Sequence, residues 1–131
     1  MANHLFDLIA AGMPALTKSF VETSDGRVVS YGDLMTLSAR LANVLEARGV
    51  VPGDRVAVQV DKSVECLFLY LACVRAGAVY LPLNTAYTLS ELDYFIGDAE
   101  PRVVVCDPGK HAGIAALGAR HGVGATETLG A

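Results

Sequence analysis

Only 18% of this 131-residue chain is charged, and no run of like charge exceeds two residues. That excludes a charged tail. The formal net charge is −4 and the sequence pI is about 5.2, a balance that argues against nucleic acid as partner. Cysteine is scarce. Cys66, Cys73 and Cys106 are an odd number without CxxC spacing. Cys66 and Cys73 fall on one predicted helix, about 10.5 Å of rise apart, too far for a disulfide. They read, with Cys106, as small buried hydrophobes in a reducing cytoplasm. No basic region precedes a hydrophobic run, so no signal peptide is expected. The longest apolar stretch, 66–74, is about half a membrane span. His4, His111 and His121 lack metal-ligand spacing with the cysteines and read as surface or terminal residues. Gly109-Lys110 is not followed by the Ser or Thr of a phosphate-binding P-loop. No glycine fingerprint follows the first parallel strand, which sets aside a small flavodoxin-like nucleotide binder. Repeats, low-complexity segments and interdomain linkers are also missing.

What is present is apolar. Hydrophobic residues make up 53% of the chain and mean hydropathy is +0.42. Such a chain is too apolar to be disordered, and its length is one domain's worth, enough to bury a core. It is rich even for a small free-standing domain. Either the core is unusually complete or some apolar surface meets more protein. The most informative stretch runs from Val74 to Asn84, VRAGAVYLPLN. It reads as a helix end, a left-handed cap at Gly77 and a strand closed by Pro82.

The remaining elements alternate. A short helix is predicted over 5–11 with Asn3 as its cap, then a hairpin of strands 19–23 and 27–30 around Asp25-Gly26. Ser30 caps a helix over 31–48, with Asp33 countering its dipole. Leu34, Ser38, Leu41, Leu45 and Arg48 recur at three and four, with Val44 beside them, as one apolar stripe of a surface helix. Gly49 ends that helix. A strand over 55–60 leads to a helix opened by Ser63 and running over 64–76, apolar nearly all round and so expected to be buried on most sides. After the strand 78–83, Thr88 and Glu91 form a capping box, with Tyr87 and Leu92 as hydrophobic staple. The run 102–106 is a continuous β-branched strand and reads as central. A weaker helix over 110–120, carrying Gly113 and Gly118, is closed by Gly122, and 125–129 can start one more strand. Strands separated by helices imply an α/β fold, a parallel-rich sheet with helices on both faces, preceded by a short hairpin.

Candidate site residues are few. Asp61-Lys62-Ser63 lies at a strand-to-helix junction, where α/β folds place ligands, but a helix cap with exposed charges accounts for it. Asp107 follows a strand, yet no paired acidic cluster accompanies it, so it reads as a turn former. Tyr80 and Tyr87 read as core and staple. Glu65 and Glu91 read as helix-start charges.

Four stretches together resemble the adenylate-forming enzymes: acyl-CoA synthetases, aryl-CoA ligases and peptide-synthetase adenylation domains. Besides 74–84 these are Val29-Ser30-Tyr31-Gly32-Asp33-Leu34, Gly53-Asp54-Arg55-Val56-Ala57, and Leu92 to Pro101 feeding Val103-Val104-Val105. Their order and spacing match as a set, from Ser19 to Val105 and more loosely beyond. The stretch from Ala78 to Ile96, with Lys62-Ser63-Val64-Glu65, looks most like the malonyl-CoA synthetase branch.

The resemblance implies that residues 1–131 are the N-terminal α/β subdomain of such a ligase, with its large domain incomplete and its C-terminal domain absent. Its location would be cytoplasmic. The whole enzyme would use ATP, Mg²⁺ and CoA and act on a small carboxylate. The partner of this subdomain would be the rest of the ligase, with no nucleic acid and no membrane span. Acyl adenylation needs a Ser/Thr/Gly-rich phosphate loop, a lysine against the developing charge and a carboxylate for Mg²⁺. The family places these downstream of the matched region. Accordingly no catalytic, cofactor-binding or metal-binding residue is assigned here, and no cofactor is expected of this chain alone. A free-standing interaction module derived from such an enzyme, or a piece of an aryl- or fatty acyl-CoA ligase, are the alternatives.

Overall fold

In the computed structural model, which describes residues 3–130, local chemistry starts each helix where the sequence signals it. The Asn3 side chain accepts the Phe6 amide at 3.0 Å and opens α1 (His4–Ala11). Strands β1 (Ser19–Glu22) and β2 (Val28–Ser30) pair antiparallel, and Gly26 in their turn has φ 89°. Ser30 caps α2 (Tyr31–Ala47). Its hydroxyl accepts the Asp33 amide while the Asp33 carboxylate accepts the Ser30 amide, both at 3.0 Å. Asp33 therefore completes a capping box as well as countering the dipole.

The rest is α/β alternation: β3 (Arg55–Gln59), α3 (Val64–Ala76), β4 (Val79–Pro82), α4 (Leu89–Ala99), β5 (Val103–Cys106), α5 (His111–Arg120) behind a 3₁₀ turn at Pro108–Lys110, and β6 (Ala125–Thr128). The predicted Thr88–Glu91 box opens α4, each backbone bond at 3.2 Å. Four strands form one parallel sheet in the order β4-β3-β5-β6. In register, Val56 lies beside Tyr80 on one side and Val103 on the other.

The pleat divides the core. Val56, Val58, Val103 and Val105 pack with Leu45, Leu69, Ala72 and Cys73 from α2 and α3. Ala57, Val104 and Cys106 pack with Leu92, Ile96 and Ile114 from α4 and α5. Covering both faces is what a parallel sheet of continuous apolar strands requires. A third cluster, centred on Val29, Leu34, Phe68 and Leu71, fastens the hairpin and α1 to the helices. Among the described residues no helix is long and apolar enough to cross a membrane.

Two expectations need correction. In α2 the buried stripe is Leu34, Ser38, Ala42 and Leu45. Val44 is 43% exposed, because it lies about 100° around the helix from Leu45. The third helix is buried on most sides as expected, and only Leu67 and Tyr70, 42% and 49% exposed, leave a narrow open stripe. Cys66 is half-buried, whereas Cys73 and Cys106 are buried.

Gly118 weakens α5 by propensity but is needed for packing. A Cβ there would come 3.0 Å from Thr126 Oγ1 and 3.4 Å from Val123 Cβ. Gly118→Val should therefore destabilise by about 1–3 kcal/mol through overpacking. Urea denaturation checks this, and a change under about 0.5 kcal/mol would mean that α5 shifts freely over β6.

Candidate functional site

The sheet has one point where its winding reverses. From β3 the chain passes through α3 to β4 on one side, then returns through α4 to β5 on the other side of β3. The loops leaving the carboxyl ends of β3 and β5 diverge there, and α/β sheets bind ligands in such crevices. The structure brings together here two candidates far apart in sequence. The Asp61 amide donates to Asp107 Oδ1 at 3.2 Å. Asp107 thus does more than form a turn, since its carboxylate ties the two loops across the crevice. Ser63 caps α3, accepting the Cys66 amide at 3.4 Å.

Between β4 and the N-terminus of α3 lies an open cleft of about 1090 Å³ whose walls include Val21, Val58, Lys62, Leu67, Tyr80 and Pro82. Tyr80 packs edge-to-face on Tyr70 with ring centroids 5.3 Å apart. Burial, with smaller contributions from Cys66 and Cys73, pushes its hydroxyl up to about 12. It is a neutral hydrogen-bonding wall at physiological pH, not an acid–base group. Burial likewise pushes the Cys73 thiol up to about 12. It raises Cys106 too, helped by Asp107. Neither thiol has the thiolate character that a nucleophile needs.

On the opposite face of the sheet a hollow of about 320 Å³ is lined by Gln59, Tyr87, Lys110 and Gly113 among others. Gln59 is 1% exposed. Its Nε2 donates to the carbonyls of Asn84 at 2.9 Å and Tyr87 at 3.3 Å, while its buried Oε1 has no partner. Lys110 Nζ donates to the Thr85 carbonyl at 3.1 Å. Both side chains pin the loop joining β4 to α4. The sequence signal for Gln59 is a lone amide inside an apolar strand. Tyr87 packs on the α4 core cluster as a staple should, and also stacks on Phe95 at 4.8 Å.

The remaining candidates hold elements together. Glu65 pairs with Arg27 at 2.6 Å, joining the hairpin to α3, and the hydrogen bond from Arg27 holds its carboxyl below the usual range. Glu91 belongs to its capping box. His121 is no free surface histidine. Its Nε2 lies 2.6 Å from Asp93 Oδ1, and its ring lies 2.8 Å from where a Cβ on Gly97 would be. His121 first, then Arg120, depresses the Asp93 carboxyl, so this α4–α5 link holds at neutral pH and is lost as pH falls through the depressed value. His111 Nε2 lies 3.3 Å from the Thr126 carbonyl, and His4 is exposed.

These groups do not assemble a complete catalytic centre. Among the described residues no three His, Cys, Asp or Glu side chains could hold a metal ion. Ser63 Oγ and Cys66 Sγ face each other at 3.4 Å, and Cys66 Sγ contacts the Asp61 carbonyl, with no base beside either. Two groups that could meet a phosphate and its metal, Lys110 and Asp107, are spent on backbone partners. The residues present do not by themselves fit ATP and Mg²⁺. They build a crevice and an open cleft of mixed polar and apolar lining on the sheet.

Comparison with known proteins gives this scaffold a family. Residues 10–129 match the model for "AMP-binding enzyme". The crystal structure of apo MatB from Rhodopseudomonas palustris superposes with a TM-score of 0.90 at 58% identity, covering 99% of this chain and 26% of that one. A Mycobacterium tuberculosis fatty acyl CoA synthetase superposes with a TM-score of 0.78 at 30% identity, covering 98% of this chain and 26% of that one. Feruloyl-CoA synthase of an Amycolatopsis species is 40% identical over 94 residues, 72% of this chain and 19% of that protein. The chain thus spans about a fifth to a quarter of the length of these relatives. With nearly its whole length matched by the family model, the chain belongs to the AMP-binding enzyme family.

Proposed function

We propose that this chain is the N-terminal scaffold of an ATP-dependent acid–CoA ligase, with malonate as the acid. In that reaction the carboxylate attacks ATP to give an acyl-adenylate and pyrophosphate, and CoA then displaces AMP to give the thioester. The scaffold supplies an α/β layer against which the nucleotide-bearing part packs. One observation carries the reading: the end-to-end match to MatB at 58% identity, over a quarter of that protein's length. The resemblance of residues 78–96 to the malonyl-CoA synthetase branch supports the choice of acid. The 40% identity to feruloyl-CoA synthase favours an aromatic acid as the second reading, over a shorter stretch and at lower identity.

Two assays test this. The pure 131-residue chain, incubated with ATP, Mg²⁺, malonate and CoA, should release no AMP or pyrophosphate above background; release would overturn the scaffold role. The full ligase encoded by the extended reading frame should show its highest kcat/KM with malonate. A higher value with palmitate or a coumarate would overturn the substrate. A frame that stops at Ala131 would favour the free-standing module.

A further inference from the structure

The hollow on the α4–α5 face of the sheet has a polar atom in its wall that the fold leaves unused. Gln59 ends β3 and lines the hollow, and it is 1% exposed. Its Nε2 serves the carbonyls of Asn84 and Tyr87, which fixes which end of the amide is which. Oε1 therefore points away from that loop, buried and without a partner. A buried acceptor left unmade is costly. The two loop bonds account for Nε2 and leave Oε1 over.

The rest of the lining indicates what would meet it. Lys110 is exposed and stands at the rim. Its Nζ donates to the Thr85 carbonyl at 3.1 Å, a neutral partner that leaves the ammonium charge uncompensated. No ion pair among the described residues includes it. Beside it α5 begins with no side-chain cap on its first turn, so the helix dipole adds to the positive potential. Leu92 and Ile114 give the hollow an apolar floor. Leu89, 52% exposed, is its wall next to solvent. Side chains so exposed change rotamer quickly, which opens a way past Leu89 to Gln59. At about 320 Å³ the space suits a small molecule and nothing larger.

We propose that this hollow binds a short hydroxy-carboxylate. Its hydroxyl donates to Gln59 Oε1, its carboxylate faces Lys110 and the start of α5, and its methylenes lie on Leu92 and Ile114. A cationic ligand would meet repulsion from Lys110. A plain carboxylate would leave Oε1 unmade. The proposal stands apart from the ligase reading, so either can fail alone.

Titration of the 131-residue chain with 3-hydroxybutyrate, followed by NMR, tests this. The Gln59 side-chain amide and the backbone amides of Lys110 and Gly113 should shift together and saturate. Butyrate, which keeps the charge and lacks the donor, should bind about 5-fold more weakly, the worth of one hydrogen bond. 1,3-Butanediol, which keeps the donor and lacks the charge, should bind about 3-fold more weakly, as expected of an exposed charge. Lys110→Met should remove the advantage over the diol, and Gln59→Met the advantage over butyrate. With the chain unaltered, equal affinity for butyrate and 3-hydroxybutyrate would overturn the proposal and assign Oε1 to an ordered water. Shifts confined to Lys110 would reduce the site to a surface charge and overturn it as well. So would the lack of any saturable shift at the three positions.

Discussion

Gly77→Val is expected to destabilise the fold by about 2–4 kcal/mol, the sum of backbone strain and overpacking. Gly77 has φ 72° and ψ 16° at the end of α3, a region that a β-branched residue resists. Its amide donates to the Val74 carbonyl at 3.2 Å and the next amide, of Ala78, to the Cys73 carbonyl at 2.9 Å. This is the paired-bond pattern of a Schellman cap. A Cβ at this position would also come 3.1 Å from Pro52 Cβ and 3.4 Å from Pro52 Cα. The Gly77 carbonyl accepts the Gly53 amide at 2.9 Å, so cap and turn cannot separate without losing that bond. Gly77→Asn should lose less, because asparagine tolerates the left-handed region. Denaturant titration of the three proteins checks the order. A loss below about 0.5 kcal/mol for valine would show that the Pro52 turn moves aside at little cost.

The second large effect is expected at Arg75, half-buried where three helices meet. Its guanidinium donates to the Met35 carbonyl at 3.1 Å and lies 3.3 Å from Ser38 Oγ. It also sits 4.4 Å above the Phe6 ring. Asn3 Nδ2 donates to the carbonyls of Val74 at 2.6 Å and Arg75 at 3.2 Å, so α1 docks on the same spot. Arg75→Ala should destabilise by about 2–3 kcal/mol through lost charged hydrogen bonds and the cation–π contact. It should also speed proteolysis within α1. Arg75→Lys should recover less than half of the loss, since an ammonium lacks the planar fork that reaches both partners while lying over a ring. Equal stability of Arg75→Ala and the parent chain would show that α1 and α2 are held by apolar packing alone.

Much of the architecture was legible because it is encoded locally. Asn3, Ser30, Ser63 and Thr88 each satisfy amides within three residues of themselves, so the starts of four helices needed no knowledge of the fold. Gly77 and Pro82 marked the end of a helix and of a strand for the same reason. The unbroken Val103–Cys106 run announced an interior strand, and β5 lies inside the sheet with all four residues buried. The order of these signals is that of the AMP-binding enzyme family, whose model matches residues 10–129.

Tertiary structure decided what depends on neighbours remote in sequence. Periodicity could not choose between Ala42 and Val44, because both adjoin the same stripe and the sheet selects one. Nor could apolarity say which side of α3 is bare, since every face of that helix looks alike until α2 and the sheet take theirs. The meeting of Asp61 with Asp107, the docking of Lys110 on Thr85, the notch at Gly97 for His121 and the pinning of a loop by Gln59 all cross between elements. Such pairings are set by strand order, and strand order is fixed by which faces bury together.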